Sequence, residues 1–167
     1  EIGRELIRLG ADILWAGDDF GTQQAMVMDP DTWRRLFKPR IKYMIAEWKK
    51  VNPEVKIAWH SCGSILPIID DFIEIGLDIL NPMQPMATDM DAETLTSNFG
   101  DRIGYFGGID IQNLLPQGPP ERIKEEVKRV AAIYSKSSRY ILAPAHNIQD
   151  DTPVEHILAM FEAVKEL

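Results

Sequence analysis

The sequence has a single cysteine, no long apolar run and no basic stripe, and each of these absences excludes a class of protein. With one thiol in 167 residues the chain cannot form an internal disulfide, which fits a reducing compartment, so we expect a cytoplasmic protein. The apolar runs are too short to span a bilayer, so we expect no membrane segment. The net charge of -8 argues against a nucleic acid or an anionic membrane as partner.

What the sequence does contain is a regular alternation of short β-type runs and amphipathic helical patterns. Strands are predicted over residues 11–16, 55–59, 77–80, 102–106 and 139–143. Helices are predicted before Gly10 and over residues 30–51, 65–75, 91–99, 120–134 and 153–167. Strict alternation of this kind implies a parallel sheet whose strands are joined by helical crossovers, an α/β fold.

Several helix starts carry a recognisable capping residue. Asp29 precedes Pro30, and Asp91 precedes the fourth predicted helix, so both carboxylates are expected to cap. Pro39 lies inside a long apolar pattern and should kink or divide that helix. The terminal helix is expected to begin with a capping box at Thr152. Its predicted buried face consists of Ile157, Leu158, Phe161 and Val164.

Two architectures fit five strand–helix units, a doubly wound open sheet and part of an eight-stranded barrel. The first predicted strand is not followed by the glycine-rich phosphate fingerprint of dinucleotide-binding folds, which weakens the doubly wound alternative. A helical pattern already under way at Glu1 looks like the end of an earlier unit. We therefore predict that residues 1–167 are the C-terminal five β/α units of a TIM (β/α)8 barrel, a single partial domain lacking its N-terminal units.

Polar residues collect after the carboxyl ends of the predicted strands, where β/α folds place their active sites. Loops are polar in any protein, so a purely structural interpretation of some of these residues also stands. The set comprises Asp18, Asp19, His60, Cys62, Asn81, Gln84, Asp110, Gln112, His146, Asn147 and Gln149.

The most informative pair is His60 and Cys62, which stand two residues apart at the tip of a predicted strand. Side chains at this spacing point to one face of a strand, and zinc accepts histidine nitrogen and cysteine sulfur together. Alternatively, His60 closes a strand and Cys62 is a small buried residue.

A catalytic zinc site needs a third protein ligand, and His146 is the best candidate. Without a metal, His146 would instead bind substrate or transfer a proton. Asp18, Asp19 or Asp110 would serve as a fourth ligand or orient an imidazole. The remaining histidine, His156, is expected at the surface of the terminal helix.

Taken together, five segments of the chain resemble the uroporphyrinogen decarboxylase superfamily, in the order of that family and over essentially the whole chain. The segments are Gly17-Asp-Asp-Phe-Gly-Thr-Gln23, His60-Ser-Cys-Gly-Ser64, Leu80-Asn-Pro-Met-Gln-Pro85, Gly107-Gly-Ile-Asp110 and Ala143-Pro-Ala-His-Asn-Ile-Gln149. The resemblance implies a (β/α)8 barrel and one of two activities. One branch decarboxylates uroporphyrinogen without a cofactor. The other, of the methylcobamide:coenzyme M type, uses zinc to move a methyl group from a corrinoid to a thiol.

The resemblance assigns roles on both branches. His60 and Cys62 match the His-x-Cys pair of the zinc branch, whose third ligand is typically a cysteine where this chain has His146. A histidine in that last loop matches the decarboxylases, in which His146 with Asp18 or Asp19 would act on the substrate. Asn81, Gln84, Asp110 and Gln149 are expected to bind the substrate.

The resemblance and the lone thiol lead to a ranked functional prediction. We predict a zinc-dependent methyltransferase-like enzyme acting on a small thiol, with a corrinoid as methyl donor and a corrinoid protein as partner. Cofactor-free decarboxylation of a tetrapyrrole is the alternative. A third possibility is an inactive fragment that associates with itself, because a partial barrel exposes strand edges and apolar helix faces; a homo-oligomer is therefore expected.

Overall fold

The computed structural model describes residues 1–137 and 139–167, in which helices alternate with strands. The strands are β1 (Ile13–Gly17), β2 (Lys56–His60), β3 (Ile79–Met83), β4 (Gly104–Ile109) and β5 (Tyr140–Pro144). The helices are α1 (Ile2–Arg8), α2 (Pro30–Leu36), α3 (Lys38–Lys49), α4 (Leu66–Glu74), α5 (Ala92–Phe99), α6 (Leu114–Gln117), α7 (Pro120–Tyr134) and α8 (Val154–Lys165), with a 3-10 turn at Ser135–Ser137. Apart from the short α6, which the sequence did not predict, the elements follow the expected alternation.

Within the described residues the strands form one parallel sheet in the order β1-β2-β3-β4-β5. Each strand therefore pairs with the next along the chain, as in a barrel, whereas a doubly wound sheet reverses its direction at a switch point. The fold prediction, five β/α units of a barrel, is confirmed.

The sheet is strongly curved. Trp15 on β1 and Phe106 on β4 are three strand spacings apart, about 14 Å in a flat sheet. Their ring centroids are nevertheless 5.4 Å apart. The face that carries these two rings is thus the concave one, which corresponds to the inside of a barrel.

The convex face of the sheet packs against the helices and forms the core. Trp33 of α2 and Phe72 of α4 lie edge to face with ring centroids 5.1 Å apart, and both are fully buried. Tyr134 of α7 packs on Tyr105 of β4 at 4.8 Å. Such aromatic pairs bury large apolar areas, so they anchor the helices at fixed positions over the strands.

Strand β3 extends further than the sequence predicted. It was expected to end at Leu80, but it continues to Met83 and includes Asn81 and Pro82. Proline has no amide hydrogen to donate, and the pairing register with β4 shifts between Leu80 and Met83. The Phe106 amide donates to Met83 Sδ at 3.1 Å in this irregular stretch. The irregularity lets the sheet accommodate a proline that the sequence pattern treats as a strand end.

The predicted helix starts and breaks are mostly present. Asp29 accepts a hydrogen bond from the Thr32 amide at 2.9 Å, and Asp91 accepts one from the Thr94 amide at 2.9 Å. The long pattern over residues 30–51 is divided at Phe37 into α2 and α3, with Pro39 in the first turn of α3. A proline is tolerated there because the first amides of a helix have no intrahelical partner.

The predictions for the terminal helix were wrong in two respects. Helix α8 begins after Pro153 without a side-chain cap, so Thr152 does not form a capping box. Its buried residues are Ala159, Met160 and Ala163, whereas Leu158, Phe161 and Val164 are exposed and Ile157 is half-buried. Small alanine side chains allow α8 to pack closely on α7, which the apolar pattern alone did not reveal. Within the described part of the chain, every helix falls short of the length and apolarity that a bilayer crossing requires.

Candidate functional site

The turn that follows β2 is fixed by hydrogen bonds to each of four consecutive amides. The four atoms that accept these hydrogen bonds all lie outside the turn. They are Asn81 O for the Ser61 amide (2.7 Å), Asp19 Oδ1 for Cys62 (2.9 Å), Gln84 Oε1 for Gly63 (2.5 Å) and Thr22 O for Ser64 (2.7 Å). Because the acceptors lie after β1 and on or after β3, the turn reaches its shape only when three adjacent strands are in place.

Two glycines allow the loop after β1 to approach this turn. A Cβ on Gly21 would lie 2.7 Å from Cys62 O, and a Cβ on Gly63 would lie 2.5 Å from Thr22 O. Gly63 also has a φ of +78°, in the left-handed region that favours glycine. The close approach of these two backbones brings Asp19 beside Cys62.

His60, Cys62 and His146 converge at the carboxyl ends of the strands. His60 Nε2 lies 3.3 Å from Cys62 Sγ, and the rings of His60 and His146 have centroids 5.6 Å apart. One ligand atom from each residue lies within 4.8 Å of the other two. The predicted ligand residues are thus brought together, although they come from β2, from its turn and from the loop after β5.

The spacing of these three groups can be compared with a tetrahedral zinc site. Zinc–nitrogen bonds near 2.0 Å and zinc–sulfur bonds near 2.3 Å put neighbouring ligand atoms about 3.3 to 3.8 Å apart. The contact between His60 and Cys62 already has this length, and the widest pair needs to close by about 1 Å. Two imidazoles and one thiol are also the donor types that zinc prefers, so the residues fit this metal.

Cys62 is half-buried, and its thiol has a raised pKa. Burial raises the pKa of the Cys62 thiol to about 11, and the neighbouring Asp19 carboxylate acts in the same direction. A negatively charged carboxylate and a thiolate repel each other, so the neutral thiol is favoured when no cation is present. Asp19 Oδ1 also lies 3.6 Å from His60 Nε2, which places this carboxylate beside two of the three candidate ligands.

Two of the three candidate ligands, His60 and His146, line a cavity of about 400 Å³ on the concave face of the sheet. Trp15 and Phe106 form its aromatic wall, with the Trp15 side chain 60% exposed and its ring 6.1 Å from that of His60. Sequence analysis did not single out either residue. The alternation along β1 carried the signal for Trp15, because its neighbour Leu14 is buried in the core and adjacent side chains of a strand face opposite sides.

The other residues predicted from the sequence take different positions. Asn81 lines the cavity and bonds to His60. Gln84 is buried beneath the turn, and its side chain accepts a hydrogen bond from the Gly63 amide.

Asp110 lies in the loop after β4 and accepts hydrogen bonds from the amides of Gln112, Asn113 and Leu114, which is the arrangement of a capping residue. Its carboxylate therefore helps to form the turn into α6.

Asp18 and Gln149 lie at the periphery of the site. Asp18 is exposed and donates its amide to His60 O at 3.0 Å, so its backbone continues the pairing of β1 with β2. Gln149 is exposed and donates to Asn147 O at 2.9 Å. The third histidine, His156, is half-buried, with its Nδ1 2.8 Å from Leu115 O, and thereby links α8 to α6.

Comparison with known proteins points to one family. The family model described as uroporphyrinogen decarboxylase (URO-D) matches residues 1–167. The chain is 27% identical over 161 residues to the methylcobamide:CoM methyltransferase MtaA of Methanosarcina barkeri, and that match covers 96% of this chain and 43% of the relative. It is 26% identical over 161 residues to a uroporphyrinogen decarboxylase of Thermosynechococcus vestitus, with the same coverage of 96% and 43%.

A solved structure is also similar to this chain. A methyltransferase from Methanosarcina mazei superposes with a TM-score of 0.73 at 25% sequence identity, covering 98% of this chain and 44% of that chain. The chain thus spans less than half the length of the curated relatives it matches. Since the family model extends over the whole sequence, the chain belongs to the uroporphyrinogen decarboxylase family.

Proposed function

We propose that this chain carries the zinc site of a corrinoid-to-thiol methyltransferase. The observation that supports the proposal is the convergence of His60, Cys62 and His146, whose ligand atoms lie within 4.8 Å of one another at the mouth of the cavity. Relatives named as methylcobamide:CoM methyltransferases support the same branch of the family. The substrate would be a small thiol, the methyl donor a corrinoid, and the partner a corrinoid protein.

The residues of the chain have distinct tasks in this function. His60, Cys62 and His146 would hold the ion, which leaves a fourth position toward the cavity. In such a site a substrate thiol loses its proton readily at neutral pH, because a bound zinc ion stabilises the thiolate. Trp15 and Phe106 would shield the reacting sulfur from water. Asp19, fixed by the Cys62 amide, would carry the negative charge that balances the cation.

Metal analysis and alanine variants test the metal site. We expect about one zinc ion per chain, and loss of the ion in His60→Ala, Cys62→Ala and His146→Ala. His156→Ala is the matched control, since it removes an imidazole that lies outside the cluster. Zinc content that survives in the Cys62→Ala variant would refute the proposed ligand set.

The reaction itself is tested with methylcobalamin and coenzyme M. Turnover would transfer the methyl group from cobalt to sulfur, which is followed by the change in corrinoid absorbance. We expect turnover with zinc once the remainder of the barrel is present, and none in the Cys62→Ala variant. Because the chain spans less than half of its relatives, the assay includes the chain alone and the chain with the remainder of a relative's barrel added. No turnover in either case, with zinc bound, would overturn the reaction and leave the metal site in place.

Decarboxylation of a tetrapyrrole is the second candidate, and His146 is the observation that favours it. A histidine in the loop after β5 lies at the cavity edge, where a proton donor would meet the substrate. Relatives named as uroporphyrinogen decarboxylases match this chain at similar identity. This reaction needs no thiol ligand. Carbon dioxide release from uroporphyrinogen that persists in Cys62→Ala but fails in His146→Ala would favour it over methyl transfer.

We also propose that residues 1–167 act as a single domain that associates with itself when isolated. The exposed apolar side chains of α1 and α8 support this, as do β1 and β5, which are the edges of the sheet in the described residues. In that form the chain would be inactive, because the concave face is open on one side.

A further inference from the structure

Asn81 lies beside His60 on the adjacent strand and makes two side-chain hydrogen bonds. The two residues are partners in the parallel register of β2 and β3, and Asn81 is 4% exposed. One end of its amide lies 2.8 Å from His60 Nδ1, and the other lies 3.1 Å from Phe106 O on β4. The side chain thus connects three adjacent strands directly beneath the candidate metal site.

The contact with Phe106 distinguishes the oxygen from the nitrogen of the Asn81 side-chain amide. A backbone carbonyl oxygen can only accept a hydrogen bond, so the Asn81 atom that faces Phe106 O must be the amide nitrogen. The atom that faces His60 is then the amide oxygen, which can only accept. It follows that His60 Nδ1 carries a hydrogen and donates it to Asn81.

The position of this hydrogen determines the chemistry of the other ring nitrogen. A neutral imidazole carries one hydrogen, so a proton on Nδ1 leaves a lone pair on Nε2. Nε2 is the atom that lies 3.3 Å from Cys62 Sγ. In water, a neutral histidine side chain favours the opposite tautomer, with the hydrogen on Nε2. The native contacts therefore select the form that can coordinate.

We infer that Asn81 is a positioning residue that holds His60 in its Nδ1-protonated tautomer and directs the Nε2 lone pair toward Cys62 and the cavity. The inference deepens the proposed function, because a lone pair at Nε2 matters most when a metal binds there. Partners of this kind typically change metal affinity by about 10- to 100-fold when they are removed. Asn81 acts through His60 and need not touch the substrate.

Nitrogen-15 NMR of the His60 ring in the metal-free chain tests the tautomer directly, at about pH 8.5, where unperturbed imidazoles are neutral. We expect the wild-type chain to carry its hydrogen on Nδ1. A hydrogen on Nε2 would overturn the inference without any variant being made. If Nδ1 is protonated but the chain binds no zinc, the tautomer assignment stands and the proposed metal function fails.

Two variants separate the effect on His60 from a general structural role. Asn81→Leu keeps the approximate size but removes the acceptor for His60, whereas Asn81→Asp keeps that acceptor. Both variants lose the donor to Phe106, and the Asp variant also places an oxygen against that carbonyl oxygen, so any purely structural loss should be at least as large in the Asp variant as in the Leu variant. We expect the Leu variant to shift the hydrogen to Nε2 and to bind zinc about 10- to 100-fold more weakly, as measured by chelator competition. The Asp variant should stay within about threefold of wild type.

Equal losses of affinity in the two variants would mean that the link to Phe106 is what matters, and would overturn the inference. Unchanged affinity in a folded Leu variant would overturn it as well. Thermal unfolding of both variants establishes that each is folded before its affinity is interpreted.

Discussion

At the scale of single residues, the environment of Cys62 favours the protonated thiol, whereas metal binding requires the thiolate. The thiol must lose its proton to bind a metal, yet burial and Asp19 favour the protonated form. A cation would reverse this preference, since it attracts both the thiolate and the carboxylate. The thiol is therefore mainly protonated near neutral pH, and a cation at the proposed site would favour its thiolate form.

This arrangement predicts that zinc binding releases a proton and strengthens as the pH rises. Since the pKa of Cys62 is raised to about 11, the thiol is neutral near pH 7 and must ionise on binding. The apparent dissociation constant should fall about tenfold for each pH unit gained between about pH 7.5 and pH 8.5, a range in which ordinary imidazoles are already neutral. Calorimetry in buffers of different ionisation enthalpy measures the proton count. Binding without proton release would contradict the assignment of Cys62 as a ligand.

A second prediction concerns Asp19 alone. Asp19→Asn removes the charge but retains an oxygen for the Cys62 amide, so the pKa of the thiol should fall. Thiolate is the reactive form, and we expect alkylation of Cys62 by iodoacetamide at about pH 8.5 to accelerate roughly three- to tenfold. Asp18→Asn is the matched control, because the pKa of the thiol is shifted by Asp19 and not by this adjacent carboxylate. Equal acceleration in both variants would show that general surface charge is responsible.

At the scale of secondary-structure elements, the turn over residues 60–64 depends on close backbone contact. Gly63→Ala would place a Cβ 2.5 Å from Thr22 O in a left-handed backbone, so we expect a loss of several kcal/mol in unfolding free energy. Gly10→Ala is the matched control, with a φ of +97° and open space around its Cβ. That change should cost about 1 kcal/mol. Urea unfolding compares the two, and similar losses would mean that the contact of Gly63 with the loop after β1 contributes little.

The sequence was a good guide to elements whose signals are local. Asp29, Asp91 and Pro39 act where the pattern placed them, because capping and proline chemistry depend on a few neighbouring residues. The buried face of α8 was predicted wrongly because Ala159 and Ala163 gain their burial from close packing on α7, which hydropathy does not record. The end of β3 was missed because an irregular pairing with β4 accommodates Pro82.

For the candidate site, sequence analysis singled out three groups that the structure brings together, but it missed the contacts that hold them in place. His60, Cys62 and His146 were recognised by residue type and by their position after strands. The amide oxygen of Gln84, a residue predicted to bind substrate, accepts from the Gly63 amide, a contact that the sequence did not reveal. Bonds of this kind depend on the register between strands, which is a property of the assembled sheet.

At the scale of the whole molecule, the last helix carries one of the exposed apolar surfaces. Leu158 and Phe161 of α8 are 56% and 55% exposed, one turn apart on the same face. Contiguous apolar surface of this kind favours association in water. We predict that the apparent mass of the chain rises with concentration, as measured by light scattering.

The double variant Leu158→Glu/Phe161→Glu should associate more weakly than the wild-type chain over the same concentration range. Tyr43→Glu is the matched control, since Tyr43 is 66% exposed on α3, away from α8. It should associate like the wild-type chain. A wild-type chain that stays monomeric at the highest concentration would contradict the prediction.

The four bonded amides after β2 have a consequence for how this loop can change over evolutionary time. Their acceptors are Asn81 O, Asp19, Gln84 and Thr22 O, so the side chain at position 62 has no part in maintaining the backbone path. Replacement of that side chain would change the chemistry of the candidate site without removing any of the four backbone hydrogen bonds. Such a loop would keep its backbone path while the residue at position 62 changes, in a family whose members are named both as methyltransferases and as decarboxylases.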